Sequence, residues 1–175
     1  MEFRLVDSEE PHIHWESVSV SGKRVLDLGC GDFGRVSFLP YPSTLEYFLS
    51  LGADYVVGID GSYSDVNSIQ FILNEYQNKF LIKEGFIISF DMILDLIEEH
   101  DIQIIKSDIE GGEIHLLSIP DEKFSQIEEY YIETHGEQLY NMAVDKLVRC
   151  GYEIYDKIDL IHTNGECKVI FARKI

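Results

Sequence analysis

The chain has 175 residues, of which 45% are hydrophobic and 12% aromatic, so the composition predicts one globular domain with a hydrophobic core. Acidic side chains outnumber basic ones by 32 to 14, which gives a net charge of −18. Nucleic acids and anionic membranes bind through cationic side chains, so this charge argues against both as partners. We find no signal-peptide pattern, no apolar run long enough to span a membrane and no CxxC pair, and we therefore expect an acidic cytoplasmic protein.

The hydrophobic pattern predicts strands that alternate with helices along the chain. Strands are predicted at 24–28, 55–60, within 79–90, at 102–108 and at 130–134, and a C-terminal hairpin at 152–161 and 167–173. Helices are predicted at 43–51 behind a Ser43 cap, 65–77, 92–99 behind an Asp91 cap, 113–118 and 139–150. This order predicts an α/β fold with a Rossmann-like, mostly parallel sheet, helices on both faces and an antiparallel hairpin. Residues 23–175 would form the single domain, preceded by a short extension at 1–22.

A glycine-rich turn follows the first predicted strand of this domain. The segment Gly29-Cys30-Gly31 lets the backbone turn sharply and approach a ligand closely. Read through Gly34, it also fits the G-x-G-x-x-G pattern of dinucleotide sites. Asp27 beside this turn would repel a pyrophosphate, but it suits the positive ammonium and sulfonium groups of S-adenosylmethionine. The local charge therefore favours the methyl donor.

A second acid closes the next predicted strand. Asp60 can accept hydrogen bonds from both hydroxyls of a ribose, a role common to dinucleotide and methyl-donor sites. It follows Gly29 by 31 positions, more than the spacing of about 20 residues that is typical of a dinucleotide unit. Capping of ordinary loops is the alternative role for Asp27 and Asp60.

Motifs in both halves of the chain resemble one family. The turn at 26–31, Ser89-Phe90-Asp91, the segment KSDIEGGE at 106–113 and Ile132-Glu133-Thr134-His135 resemble the FkbM-like family of class I S-adenosylmethionine-dependent methyltransferases. The resemblance covers about residues 23–173 and implies a seven-stranded Rossmann-like sheet and O-methylation of a hydroxyl on a small molecule or sugar. It also implies donor contacts from Asp27, Gly29, Cys30, Gly31, Asp60, Gly61, Ser62 and, near the adenine, Asp91.

Four residues near the ends of the later strands are candidates for catalysis: Asp108, Glu110, Glu113 and His135. A hydroxyl acceptor must lose its proton, and His135 is the preferred base because the ordinary pKa of histidine lies near neutrality. Alternatively, Glu110 and Glu113 interact with a helix N-terminus, and His135 bonds to a neighbouring loop. A divalent metal held by Asp108 with Glu133 or His135 fits the chemistry of oxygen ligands, but the reaction does not require one, and no metal site is assigned.

Two other functions fit parts of the sequence. A nicotinamide-dependent oxidoreductase is consistent with the literal glycine pattern, although Arg35 is the only basic residue nearby for a phosphate. A non-catalytic module that keeps the donor site is consistent with the small size. For the methyltransferase we expect a small-molecule acceptor, with no nucleic acid or membrane partner. A second subunit of a homo-oligomer could complete the acceptor site.

Overall fold

The structure is a computed structural model that describes residues 4–7, 17–31, 43–61, 76–161 and 167–175. Its strands are β1 (Arg4–Asp7), β2 (Arg24–Leu28), β3 (Tyr55–Asp60), β4 (Phe80–Glu84), β5 (Ile104–Ser107), β6 (Glu129–His135), β7 (Tyr152–Ile161) and β8 (Cys167–Lys174). Its helices are α1 (Thr44–Ser50), α2 (Phe90–His100), α3 (Glu113–Leu117), α4 (Asp121–Phe124) and α5 (Glu137–Arg149). Within these ranges, no helix is both long and apolar enough to cross a membrane.

All eight strands belong to one mixed sheet, in the order β1-β7-β8-β6-β5-β2-β3-β4. The strands from β2 to β6 run parallel to one another, and β8 lies between β6 and β7, antiparallel to both. This confirms the seven-stranded, mostly parallel sheet with a C-terminal antiparallel hairpin. The addition is β1, which pairs parallel to β7 at the edge. Residues 4–7, predicted to belong to an extension, are therefore part of the sheet.

Most predicted helices form, with some changes at their ends. Ser43 caps α1 as predicted, since its hydroxyl accepts a hydrogen bond from the Glu46 amide at 3.1 Å. The hydroxyl of Ser89 caps α2 by accepting a hydrogen bond from the Met92 amide. Asp91, which was predicted as the cap, lies instead in the first turn of the helix. The predicted helix at 65–77 falls almost wholly outside the described residues.

The core consists of two layers because successive strand residues point to opposite faces of the sheet. One face carries Leu26, Leu28 and Ile105 and packs against α2, α3 and α5. The other carries Val25 and Ile104 and packs against α1. Central parallel strands carry apolar side chains on both faces, so each face of the sheet must be covered by a layer of helices.

The strand order places a crevice beside β2. From β2 the chain moves outward through β3 and β4, then returns to the other side of β2 to form β5. Helices connected to neighbouring strands therefore lie on opposite faces, and the connections separate at the carboxyl ends of β2 and β5. Open α/β sheets bind their ligands at such a point.

Candidate active site

A cavity of about 420 Å³ opens at the carboxyl ends of four parallel strands. Its volume lies within the usual range of about 300–1,000 Å³ for small-molecule sites. The lining residues follow β2, β3, β4 and β5, and they are Gly29, Ile59, Asp60, Gly61, Gly85, Phe86, Ile87, Asp108, Ile109 and Glu110. Five of these were predicted from the sequence as site residues: Gly29, Asp60, Gly61, Asp108 and Glu110.

The turn after β2 requires glycine at its first position. Gly29 has a φ of +75°, and a Cβ atom there would lie 1.7 Å from the carbonyl oxygen of Asp108. Both the backbone conformation and the close contact exclude a side chain. The turn is tied to β3 by the amides of Gly29 and Cys30, which donate to the Ile59 carbonyl at 2.8 and 3.2 Å. The Cys30 side chain is buried in the core beneath the turn.

Asp60 lies on the cavity wall and also holds the turn. Its Oδ2 atom accepts a hydrogen bond from the Gly31 amide at 2.9 Å. The next residue, Gly61, supports the ring of Phe86, since a Cβ at Gly61 would lie 2.4 Å from that ring. Phe86 is 73% exposed although it is a large apolar side chain, and it forms part of the cavity lining. An exposed aromatic ring at the wall of a cavity is a suitable surface for a planar ligand group.

Asp27 does not line the cavity with these residues. It is fully buried, its Oδ1 lies 3.2 Å from the Nζ of Lys106, and its Oδ2 accepts from the Thr44 hydroxyl at 2.6 Å. Lys106 is equally buried, and its Nζ donates to the Gly29 carbonyl at 2.5 Å. The Asp27–Lys106 pair therefore supports the turn from the core. The Asp27 carboxylate, which was predicted to contact the methyl donor, instead contacts Lys106 and Thr44.

The contacts of Asp27 and Lys106, rather than their burial, favour the ionised form of the pair. Burial raises the pKa of Asp27 above its ordinary value and opposes the charge on Lys106 as well. The pKa of Lys106 is nevertheless raised, because the carboxylates of Asp27 and Asp108 stabilise its ammonium. We take both groups as charged, given the 3.2 Å contact and the additional hydrogen bond from Thr44.

The loop between β5 and α3 is shaped by Glu113. This side chain is fully buried, and its two carboxylate oxygens accept from the amides of Ile109 and Gly111, each at 2.9 Å. Between them, Glu110 adopts a φ of +51°, which is uncommon for a residue other than glycine. The predicted pair therefore separates: Glu113 points inward, and the Glu110 side chain is 88% exposed beside the cavity.

His135 stands at the end of β6 among four carboxylates. Its Nδ1 is 3.2 Å from Glu113 Oε1, in a hydrogen bond. Its Nε2 lies 3.7 Å from Asp108 Oδ1, 3.6 Å from Glu110 Oε2 and 3.9 Å from Glu133 Oε1. The four predicted catalytic residues are thus adjacent in space, and Glu133 joins them because it shares a face of β6 with His135.

These contacts change the expected protonation of His135. The hydrogen bond with Glu113 and the surrounding negative charges raise its pKa to about 9, although burial opposes this. Hydrogen bonds from His135 and the Ile109 amide hold the pKa of Glu113 below its ordinary value despite burial. Burial and the charge of Asp108 raise the pKa of Glu133 to about 8. A pKa of about 9 favours the cationic form of His135 at neutral pH, whereas a general base accepts a proton in its neutral form, so the assignment of His135 as the base stays a prediction.

The other predicted donor residues fall in three places. Cys30 and Gly31 belong to the turn, although neither is among the lining residues. Asp91 is exposed in the first turn of α2. Ser62 lies outside the described residues.

Sequence reasoning missed Phe86 and the Asp27–Lys106–Thr44 contacts. Phe86 lies just after β4, within the range 79–90 that was predicted to contain a strand of unclear limits, so the sequence did not show that its ring would line a cavity. Lys106 lies 3.9 Å from Asp108. Its closer partner, Asp27, is adjacent because β2 and β5 are neighbours and pair Asp27 with Lys106 in register.

No known family profile and no curated protein sequence matches the chain. Solved structures do match its fold. A Streptococcus pneumoniae protein, provisionally described as a tRNA (m1A22) methyltransferase and solved with S-adenosyl-L-methionine, aligns with a TM-score of 0.64 at 13% identity, over 97% of this chain and 73% of its own. A provisionally described S-adenosylmethionine-dependent methyltransferase from Listeria monocytogenes aligns at 0.62 and 14%, over 96% and 97%. The Methanococcus jannaschii fibrillarin, a pre-rRNA processing protein, aligns at 0.62 and 11%, over 91% and 70%.

These neighbours define the class of fold. The chain has the Rossmann-like fold of S-adenosylmethionine-dependent methyltransferases, which confirms the fold expected from the sequence motifs. The donor expected from the sequence is the one that the Streptococcus pneumoniae structure holds. The narrower resemblance to the FkbM-like family rests on the sequence motifs alone, since no family profile matches.

The exclusion of nucleic acids as partners is wrong. Structures with the same fold include proteins described as acting on tRNA and in pre-rRNA processing. The argument from charge failed because net charge describes the whole surface, whereas an acceptor contacts one part of it. Both neighbours are also longer than this chain, which spans 73% and 70% of their lengths.

Proposed function

We propose that the chain is an S-adenosylmethionine-dependent methyltransferase that binds its donor in the cavity after β2, β3, β4 and β5. The observation that carries the proposal is the juxtaposition of the Gly29–Gly31 turn and Asp60 on one cavity wall, at the switch point of a methyltransferase-type sheet. Because Gly29 has no side chain and the Cys30 side chain is buried in the core, a ligand can lie close to the backbone of the turn, and the carboxylate beside it accepts hydroxyl hydrogens.

The lining residues suggest how the donor lies. Asp60 would accept from the ribose hydroxyls, as proposed from the sequence, and Phe86 beside Gly61 would pack against the adenine. The methionine end would lie over the turn at Gly29. Asp27 acts on this end indirectly, since with Lys106 it positions the turn. Contacts from Ser62 and Asp91 remain proposals that rest on the family resemblance.

The acceptor side of the cavity is acidic. Asp108 lines the cavity and lies within 4 Å of both His135 and Lys106. We therefore propose that its carboxylate accepts the proton that the acceptor's nucleophilic group loses. In its cationic form His135 orients the carboxylates around its Nε2 atom, and Glu113 positions His135 through the hydrogen bond to Nδ1. The reaction we infer is O-methylation of a hydroxyl: its oxygen attacks the methyl carbon, the carbon–sulfur bond breaks, and S-adenosylhomocysteine leaves. Alignment of donor and acceptor supplies most of the rate in such a displacement.

Calorimetric titration with S-adenosylmethionine, S-adenosylhomocysteine and NAD tests the donor site. We expect both adenosyl compounds to bind with one site per chain and NAD not to bind. Asp60→Asn should weaken this binding by about 10- to 100-fold, the usual value for a hydrogen bond to a charged group. Asp54→Asn is the matched control, because Asp54 is exposed just before the opposite end of β3. Binding of NAD alone would favour the oxidoreductase, and equal effects of the two substitutions would refute the assigned site.

Methyl transfer itself requires an acceptor screen. Radiolabelled donor should be incubated with hydroxyl-bearing small molecules, sugars and RNA transcripts, because the fold is shared with proteins described as RNA methyltransferases. Turnover that falls on Asp108→Asn while S-adenosylhomocysteine still binds would support the enzyme. Donor binding without turnover on any acceptor class would instead favour a non-catalytic module.

A further inference from the structure

Side chains with nitrogen, oxygen and sulfur donors converge beside the cavity. The His135 imidazole lies near the carboxylates of Asp108 and Glu133, and the thiol of Cys167 is close to Glu133 and His135. In the latter trio the potential ligand atoms all lie within 4.8 Å of one another. The four residues come from the end of β5, from β6 and from β8, so the sheet brings them together from distant parts of the chain.

The antiparallel pairing of β6 and β8 explains why the sulfur joins the group. His135 is the register partner of Cys167, and cross-strand partners have neighbouring side chains on the same face. Glu133, two residues before His135, also points to this face. The rigid ladder therefore fixes three donors of different chemistry at one corner of the sheet.

The separations suit ligands that share one ion. His135 Nε2 lies 3.7 Å from Asp108 Oδ1 and 3.9 Å from Glu133 Oε1, beyond hydrogen-bond distance. Ligands at about 2.0–2.2 Å from a tetrahedral ion are about 3.3–3.6 Å apart. The donor atoms of Glu133, His135 and Cys167 lie within 4.8 Å of one another, so they would have to approach by up to about 1.5 Å to share one ion.

His135 is also oriented as a metal-binding histidine. Metal ligands of this type donate from the second ring nitrogen to a carboxylate, which fixes the ring and directs the other nitrogen to the ion. Here Nδ1 bonds to Glu113 at 3.2 Å, and the amides of Ile109 and Gly111 hold that carboxylate in place. Nε2 is consequently directed towards Asp108 and Glu133.

We propose that Glu133, His135 and Cys167 bind a divalent transition-metal ion of the zinc class at the acceptor side of the cavity, with Asp108 beside them. Mixed nitrogen, oxygen and sulfur ligands favour zinc over magnesium or calcium, which prefer oxygen alone. Binding displaces the proton of the Cys167 thiol to solvent, because the thiolate is the ligand. If the proposed function is correct, the ion lies beside the place where an acceptor oxygen would bind, since His135 Nε2 is 3.7 Å from Asp108, which lines the cavity.

The test uses the purified chain after removal of metals with a chelator. Calorimetry with Zn²⁺ should give one site per chain, and Mg²⁺ should not compete at equal concentration. Co²⁺ in place of Zn²⁺ should produce a thiolate-to-cobalt absorption band, which Cys167→Ser should abolish. His135→Gln should weaken Zn²⁺ binding by at least 100-fold, and Glu113→Gln, which removes only the orienting carboxylate, by about 10- to 100-fold.

Glu137→Gln is the control variant, because Glu137 is an exposed acid two residues beyond His135 that pairs with Lys168 instead. Thermal melts identify any variant that fails to fold, and Cys167→Ser then carries the test if His135→Gln does not fold. Absence of Zn²⁺ binding, or binding that His135→Gln and Cys167→Ser leave unchanged, would overturn the proposal. S-adenosylhomocysteine titrated into the same metal-free sample separates this failure from failure of the proposed donor site.

Discussion

Replacement of Lys106 by methionine should destabilise the whole domain. The substitution keeps a similar side-chain length but leaves the buried Asp27 carboxylate without its 3.2 Å partner and the Gly29 carbonyl without its donor. Removing one member of a buried ion pair costs about 3–5 kcal/mol, because the remaining charge is uncompensated. For a domain of this size, that loss corresponds to a fall in Tm of about 6–20 °C.

Denaturant unfolding of four proteins measures this effect: wild type, Lys106→Met, Asp27→Asn and the double variant. The double variant should recover part of the loss, since Asp27→Asn keeps a polar side chain that the Thr44 hydroxyl can contact while removing the unpaired charge. Lys23→Met is the matched control. Lys23 pairs with Glu128 at 2.5 Å on the surface, where such pairs contribute about 0–1 kcal/mol.

One contradicting result is that Lys106→Met lowers the free energy of unfolding by only about 1 kcal/mol or less, as expected for Lys23→Met. That result would refute the conclusion that the buried Asp27–Lys106 pair supports the turn. Strictly additive losses in the double variant would also refute it, because residues that interact directly are expected to show a coupling energy.

Three further predictions concern the site itself. Gly29→Ala should lower the free energy of unfolding by about 2–5 kcal/mol, because of backbone strain and the clash with Asp108. Gly85→Ala is the control: Gly85 also lines the cavity, but a Cβ there meets no atom within 4 Å, and the free energy of unfolding should change by less than about 0.5 kcal/mol. Phe86→Ala should weaken S-adenosylhomocysteine binding by about 2- to 10-fold in calorimetry, and Ile88→Ala, equally exposed at 72% but outside the cavity lining, should not. In metal-free protein, NMR titration should give His135 a pKa of about 9, which Glu113→Gln should shift towards the ordinary 6.5. Because the folded-state pKa is raised, the His135 contribution to stability is full below about pH 6.5 and is lost as the pH rises through about 9.

Each of these predictions has a contradicting result. Equal stability of Gly29→Ala and Gly85→Ala would mean that the turn can move away from Asp108. Equal binding by the Phe86 and Ile88 variants would remove Phe86 from the donor site. A His135 titration near 6.5 in the wild-type chain would show that the carboxylates around it are not close in solution.

The fold was predictable because its signals are local. Gly29 and Gly31 mark the end of β2, Ser43 marks the start of α1, and apolar runs mark the buried strands. The strand β1 was missed because four residues of sequence carry too little pattern, and its pairing depends on β7 far along the chain. The parallel arrangement of the early strands followed from the general rule of right-handed crossover, whereas their order in the sheet was not predicted.

The site was predictable in position but less so in chemistry. Asp60, Asp108 and His135 were found because strand ends on one edge of a parallel sheet converge. Some carboxylates at the strand ends face solvent, whereas another forms an ion pair with a buried lysine. The difference depends on the register between strands that are not adjacent in the sequence. Asp27 and Lys106 illustrate this, since their pairing needs β2 and β5 to be neighbours. The elevated pKa of His135 likewise arises from Glu113 and Asp108, which reach it through the fold.

The edge strand β1 also affects how the chain can fold during synthesis. Arg4 pairs with Ile158, which is made 154 positions later, and β7 joins the sheet only through β8, at residues 167–174. At about 5–20 residues per second, the ribosome needs about 8–30 s to make the intervening chain. The central strands β2–β6 can assemble within that time, while β1 waits for its partner. β1 is therefore made before the other strands of the sheet but is among the last to be paired, and a nascent chain carries it as an open edge until β7 and β8 have been made.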